Sequence, residues 1–270
     1  MLEFIGLGLY DERSITRQGA DALANADYAY LEGYTSVLPG VSVDRLEEVH
    51  GTTIELVGRD VVESAPEEML DRAVDSRVAF LTGGDPMIAT THIDLRLRAH
   101  ERGILTSIVH GTSAATAAAG LTGLQQYRFG RAVTVPAPDH SPGEGVPPSV
   151  LDAIEANRDR GLHTLLYLDI HLDDVDRELL ETSLEERCLD ASTAAALLSE
   201  THPDLLGVAV ARAGSDAPLI DADRLDRLAT RSFGPPLHLL VIPGTLHDME
   251  ARALRTFADA PSSLVEALID

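Results

Sequence analysis

The sequence predicts an α/β protein of two domains, on three observations. Short apolar runs of strand length alternate with helical stretches from the first residues onward. Several of those runs stop abruptly at glycines, as at Gly6-Leu7-Gly8 and Gly83-Gly84-Asp85-Pro86. The pattern then restarts, which places a domain boundary near His110 and divides the chain into residues 1–110 and 111–270. Strands alternating with helices imply βαβ units and a largely parallel sheet.

In chain order, Leu2 to Leu7 reads as a buried strand ending in a glycine turn, followed by a helix from about Thr16 and a strand near Tyr28 to Leu31. Thr52 to Val57 reads as a strand, and Pro66 to Val74 as a helix opened by its proline. Val78 to Leu81 is a compact strand. Thr91-x-x-Asp94 has the form of a capping box for a helix running to about Arg102, and Ile104 to Val109 is the next strand. The second half opens with a small-residue helix, Ser113 to Gly120, and a strand at Ala132 to Val135. Pro136 to Pro148 is a Pro/Gly-rich loop. A helix to about Arg160, a strand at Thr164 to Leu168 and one long helical stretch from Asp174 to Ser199 follow. Leu205 to Ala211 and Leu237 to Ile242 read as strands, and Thr245 to Ala258 as a closing helix.

Composition narrows the function. No apolar run approaches the ~18 residues of a membrane span, and the N-terminus lacks the basic region of a signal peptide. Cys188 is the only cysteine, so internal disulfides and multi-cysteine zinc sites are excluded. These features indicate a cytoplasmic protein. The formal net charge of −23 argues against a basic nucleic-acid surface. All 21 basic residues are arginine, which excludes a Schiff-base or phosphate-loop lysine. A lysine-free acidic chain has the composition of a protein from an extremely halophilic archaeon. In concentrated salt the Debye length falls to ~3 Å, so the acidity reports the solvent more than a cationic partner.

Each candidate site has a plainer reading beside it. Gly6-Leu7-Gly8 after a first strand invites a dinucleotide site, but the third fingerprint glycine is Asp11. A simple glycine turn serves as well. Gly83-Gly84-Asp85-Pro86 lets backbone approach a ligand, and Asp85 could accept from a ribose or amino group; alternatively it is an Asp-Pro turn with a capping carboxylate. His110-Gly111-Thr112-Ser113 ends a strand and opens a helix, whose N–H groups and Ser113 hydroxyl suit a ligand or merely cap the helix. His238 is a ligand contact or a satisfied core histidine. The acidic run Asp169 to Asp176 reads as solvated surface before it reads as a cation site, and the histidines form no metal motif.

Six ordered blocks carry a resemblance: Phe4 to Arg13; Ala79 to Pro86 with Ala89 to His92; Thr122-Gly123-Leu124; Gly161 to Ile170; Ala211 to Ser215; and Phe233 to His238. Together they resemble the diphthine synthase family, of the tetrapyrrole-methylase-like class of S-adenosylmethionine enzymes. The resemblance implies two α/β domains with S-adenosyl-L-methionine bound in the cleft between them, and a homodimer. The family's donor-binding positions fall on Leu9, Asp85, Ile88, Ser113, Ala114, Leu168, Ala213 and His238. Several are apolar, which implies contact through backbone groups. The implied activity is N-trimethylation of a 2-(3-amino-3-carboxypropyl)histidine on translation elongation factor 2, with no metal, membrane or nucleic-acid partner. No general base is identified. Departures from the family pattern are Gly83 in place of a proline and Gly111-Thr112-Ser113 in place of Ala-Pro-Ser. A tetrapyrrole methyltransferase and a non-catalytic sensing module on the same scaffold stand as alternatives.

Overall fold

A computed structural model describes residues 1–140, 145–170 and 184–270. These form two compact units, one of Met1–Ser113 and one of Ala114–Ile170 with Glu185–Asp270.

The first unit contains strands β1 (Leu2–Gly6), β2 (Tyr28–Glu32), β3 (Ile54–Val57), β4 (Val78–Thr82) and β5 (Thr106–Val109), with helices α1 (Arg17–Ala24), α2 (Val43–His50), α3 (Glu67–Asp75) and α4 (Ile93–Glu101). The sheet order is β3-β2-β4-β1-β5, and every pairing is parallel. β1 and β4 are buried throughout, as the near-continuous apolar runs of a sheet covered on both faces require. On one face Phe4 and Phe80 pack with Met69 and Leu70 of α3 and Leu95 and Ala99 of α4. On the other, α1 lies so close that a Cβ on Gly19 would sit 3.1 Å from Ile5. The helices that follow the neighbouring strands β1 and β4 therefore cover opposite faces. Such a reversal is where open α/β sheets hold ligands, beyond the strands' carboxyl ends.

One local expectation for this unit needs correction. The Thr91/Asp94 capping box does not form: His92 occupies the N-cap of α4. Thr91 donates instead to Glu63 (2.9 Å), and Asp94 pairs with Arg98 one turn on (2.7 Å). An arginine at i+4 offers the aspartate a charged partner, which a threonine cannot match. Helix α2 has little apolar periodicity to reveal it, because it buries only Val43 and Leu46; the Ser42 side chain caps it by accepting from the Arg45 N–H.

The second unit carries β6 (Val133–Val135), β7 (Thr164–Leu168), β8 (Leu206–Ala211), β9 (Leu219–Arg224) and β10 (His238–Ile242). Their order is β6-β7-β10-β8-β9. Only β6 and β7 are parallel; the other three pairings are antiparallel. The expectation of largely parallel sheet thus holds in the first unit and fails here. For β8 and β9 the reason is connection length: Arg212–Pro218, between them, is shorter than the dozen or so residues a parallel crossover needs. Strand β9 escapes sequence reading because Asp221, Asp223 and Arg224 break its apolar pattern. It is an edge strand, where Arg231 pairs with both aspartates.

Side chains alternate across this sheet with period two. Leu166, Ala209, Leu240 and Ile242 face one core, whereas Leu165, Val208, Leu239 and Val241 face the other. The first core is closed by α6 (Pro148–Arg158), α8 (Ala191–Ser199) and α9 (Leu225–Leu228). The second is closed by α5 (Ala114–Thr122), α10 (Asp248–Phe257) and α11 (Ser262–Glu266). The predicted helix Asp174 to Ser199 lies partly outside the described residues. Within them it is not continuous: α7 (Leu184–Arg187) ends before Cys188, which bridges to Ile170, and Asp190 starts α8 by accepting from the Thr193 N–H. The Pro136 to Pro148 loop begins with a 3-10 turn at Pro138–His140, and residues 141–144 lie outside the described residues. Among the described residues no helix is long and apolar enough to cross a membrane.

Candidate active site

The carboxyl ends of β1, β4 and β5 are joined through glycines. Gly8 donates to the Gly84 carbonyl (3.2 Å) and Gly84 donates back (2.6 Å), a two-bond bridge with both residues at positive φ. A Cβ on Gly6 would lie 2.5 Å from the Gly84 oxygen, and one on Gly111 2.2 Å from the same atom. Three loops therefore meet where no side chain fits. Gly84 differs: a Cβ there would make only ordinary contact, with the Ser113 Cα and the Thr112 oxygen at 3.9 Å, and it is the positive φ of 70° that favours glycine. After Gly8 the chain makes a 3-10 turn, Glu12–Ser14, capped by Asp11. The Asp11 position thus rules out the helix that a dinucleotide fingerprint would place there.

Asp85 follows Gly84; its side chain is 7% exposed and its carboxylate is engaged on both sides. Oδ1 accepts from the Met87 N–H at 2.9 Å, and Oδ2 accepts from Nδ1 of His110 at 2.7 Å. His110 itself is 71% exposed. The capping and ligand readings of Asp85 are compatible, since each oxygen keeps a second lone pair. Ile88, directly after Met87, is an exposed large apolar side chain, Leu9 is half-buried and Ser113 is buried.

A feature the sequence reading missed sits at the carboxyl end of β2. Glu32 is 1% exposed, yet it is fully partnered. It accepts from the Tyr34 and Thr35 N–H groups (3.1 and 2.6 Å), the Thr35 hydroxyl and the Ser36 hydroxyl (2.5 Å). The turn it folds packs on the glycine loop, since a Cβ on Gly83 would lie 3.3 Å from the Ser36 Cα. The signal is present in Glu-x-Tyr-Thr-Ser, a carboxylate followed by two hydroxyl residues at Asx-turn-like spacing.

In the second unit, Leu168, Ala213 and His238 gather at one end of the sheet. β7 and β8 finish there and β10 begins there, with His238 paired to Ala211 and Leu239 to Tyr167. Arg212, at φ 52, donates to the Phe233 and Pro235 carbonyls and ties the β8 exit to the entry of β10. His238 is a satisfied core histidine. Its Nδ1 accepts from the Ala191 N–H (3.2 Å), so Nε2 carries the proton and donates to the Pro235 carbonyl (3.0 Å). Burial pushes its imidazole below the usual value. Ala114 opens α5. Asp169 accepts from the Ala137 N–H and from His140, so this end of the acidic run is a structural acceptor; its remainder, from residue 171, lies outside the described residues. Burial pushes the Cys188 thiol up to about 12, which removes it as a nucleophile at neutral pH.

Comparison with known proteins bears on the fold and the family. The family model for Tetrapyrrole (Corrin/Porphyrin) Methylases matches residues 1–216. A diphthine synthase of Haloarcula marismortui is 55% identical over 96% of this chain and 99% of its own length. Another, from Methanospirillum hungatei, is 44% identical over 96% of this chain and 98% of its own. A crystal structure of diphthine synthase superposes with a TM-score of 0.86 at 38% identity, covering 99% of both chains. The chain belongs to the diphthine synthase family.

As a diphthine synthase family member it is a methyltransferase of diphthamide biosynthesis with the tetrapyrrole-methylase fold. The residues to which the resemblance points fall in two groups: Leu9, Asp85, Ile88 and Ser113 by the strand ends of the first unit, Leu168, Ala213 and His238 at one sheet end of the second. Ala114 follows Ser113 directly. Where side chains are polar, they are already engaged within the protein. That leaves backbone groups, apolar surfaces and the second lone pairs of the Asp85 carboxylate to meet a ligand.

Proposed function

We propose that the chain transfers methyl groups from S-adenosyl-L-methionine to the amino group of a 2-(3-amino-3-carboxypropyl)histidine on translation elongation factor 2, three times in succession, to give diphthine. The observation that carries this reading is full-length similarity to diphthine synthases together with strand ends joined through Gly6, Gly8, Gly84 and Gly111. We assign Leu9, Asp85, Ile88, Ser113, Ala114, Leu168, Ala213 and His238 to binding of the methyl donor. The donor supplies a methyl group activated by positive sulfur. The residues fit it: Ser113 and Asp85 offer polar atoms, and Ile88, Leu9 and Leu168 provide apolar walls. Their task is positioning and exclusion of water. His238 contributes through its backbone, its ring being occupied. The protein works in the cytoplasm as a homodimer on a protein substrate.

Calorimetry with S-adenosylhomocysteine tests the assignment. Asp85→Ala is expected to weaken binding about tenfold or more, equal to ~1.4 kcal/mol; unchanged affinity would remove Asp85 from the site. The decisive assay is methyl transfer to archaeal elongation factor 2 carrying the unmethylated intermediate. Transfer to a uroporphyrinogen instead would reassign the acceptor. Light scattering that found a monomer at assay concentration would remove the dimer.

A further inference from the structure

Each methylation of an amine requires a neutral nitrogen, and at neutral pH an alkyl amine is mostly protonated. No base for this step is legible in the sequence. The structure does contain a pair with the chemistry to act as one. His110 leaves the carboxyl end of β5 and Asp85 leaves that of β4, strands separated in the sheet only by β1. The two residues are 25 apart in sequence, yet Nδ1 of His110 lies 2.7 Å from Oδ2 of Asp85.

We propose that His110 is the proton acceptor for the substrate amine, with Asp85 as its positioning residue. A carboxylate accepts only, so Nδ1 of His110 carries a proton and, in the neutral ring, the lone pair falls on Nε2. Among the described residues no hydrogen bond to Nε2 is made, and the side chain is 71% exposed. Asp85 is itself held, its other oxygen taken by the Met87 N–H and its side chain 7% exposed. The arrangement therefore has a fixed inner end and a free outer end. The loops that carry both residues meet at the Gly6–Gly84–Gly111 junction, where Cβ atoms on Gly6 and Gly111 would lie 2.5 and 2.2 Å from the Gly84 oxygen, so their backbones are fixed relative to one another. A structural histidine would have both nitrogens engaged, as His238 does. The contrast separates the two roles within one chain.

In each round Nε2 takes a proton from the substrate ammonium, leaving a neutral amine and an imidazolium whose Nδ1–H stays hydrogen-bonded to Asp85. The amine lone pair then forms the N–C bond to the donor methyl while the C–S bond breaks and its electron pair stays on sulfur. The imidazolium releases its proton to water before the next round. Three methyl transfers release three protons, and the quaternary product has none left to give.

This inference rests on the methyltransferase reading above, and the test separates the two. His110→Ala and His110→Gln are compared with the unaltered chain in single-turnover methyl transfer to elongation factor 2 bearing the intermediate, across pH 6 to 9. Both variants are expected to lose about 10²- to 10⁴-fold in rate, to bind S-adenosylhomocysteine within about twofold of the unaltered chain, and to regain rate as pH rises. Added imidazole is expected to restore part of the rate in His110→Ala. Variant rates within threefold of the unaltered chain overturn the base and leave the methyltransferase reading standing. Loss of donor binding in both variants also overturns it, since His110 would then serve the donor site. No transfer by the unaltered chain overturns the reading beneath it and the base with it.

Discussion

At the scale of single residues, steric exclusion decides which glycines matter. Gly111 and Gly120 lie nine positions apart and make opposite predictions. A Cβ on Gly111 would stand 2.2 Å from the Gly84 carbonyl oxygen, a backbone atom that cannot rotate away. Gly111→Ala is therefore expected to destabilise the fold by roughly 1–3 kcal/mol and to weaken S-adenosylhomocysteine binding by displacing the Gly84 loop. Gly120 sits exposed within α5, where a Cβ meets nothing within 4 Å. Gly120→Ala should stabilise by about 0.5–1 kcal/mol through helix propensity. Thermal melts of both variants check this, and a melting temperature for Gly111→Ala at or above the parent's would refute the steric argument. These strand-end glycines are legible in the sequence because a glycine directly after a buried run marks a turn or a close backbone approach. The His110–Asp85 contact is not, because it exists only once β5, β1 and β4 are laid side by side. No local pattern encodes that adjacency.

At the scale of elements, the second unit is tied by one buried carboxylate. Glu250 opens α10, where it closes a capping box by accepting from the His247 N–H (2.9 Å). It also accepts from the Gln125 N–H beyond α5 (2.8 Å), from Nε2 of His163 before β7 (3.0 Å) and from Arg128 (3.2 Å). The His163 tautomer follows from its other nitrogen, which accepts from the Gly244 N–H. Glu250→Ala would strand the buried His163 imidazole and two backbone N–H groups and take one partner from Arg128, so a loss of about 3–5 kcal/mol is expected, read from the melting curve; a loss under ~1 kcal/mol would mean these elements hold together without it. The helix-start signal around His247 is visible as Thr245 to Ala258, but the reach of its N3 residue to three other segments is not. The same cluster sets a pH dependence. Burial lowers the pKa of His163, as it does for His92 and His238. Burial alone would raise Glu250, yet the Gln125 and His247 N–H groups and His163 hold it below the usual carboxylate value. For a lowered folded-state pKa the unfolded chain binds protons first, so stability is complete above the unfolded value and declines as pH falls toward the folded one. The histidine contribution should therefore begin to fade below about pH 6.5 and the Glu250 contribution below about 4.3. A melting temperature constant from about pH 8 to about pH 5 would contradict the histidine part.

At the scale of the whole chain, the alternation of strands and helices foretells two α/β units, whereas the antiparallel half of the second sheet turns on the short β8–β9 connection and a charged edge strand. Net charge is the one global property read directly from composition, and it makes the broadest prediction. With 44 acidic residues against 21 arginines, the formal charge is −23. Local pairs such as Arg231 with Asp221 and Arg72 with Glu68 reduce this repulsion, but exposed pairs are worth only ~0–1 kcal/mol each. At ~0.1 M ionic strength the Debye length is about 10 Å, longer than the spacing of neighbouring surface carboxylates, and near 1 M it is about 3 Å. Repulsion that favours expansion at low salt is thus largely removed at high salt. The melting temperature should rise steeply between these two concentrations of potassium chloride. If screening is the cause, potassium sulfate at equal ionic strength will give nearly the same midpoint. If strengthened apolar burial is the cause, sulfate will stabilise more than chloride, because it is excluded from protein surface. A midpoint indifferent to chloride would mean that the carboxylates are spaced or hydrated so that their mutual repulsion never reached the folding equilibrium.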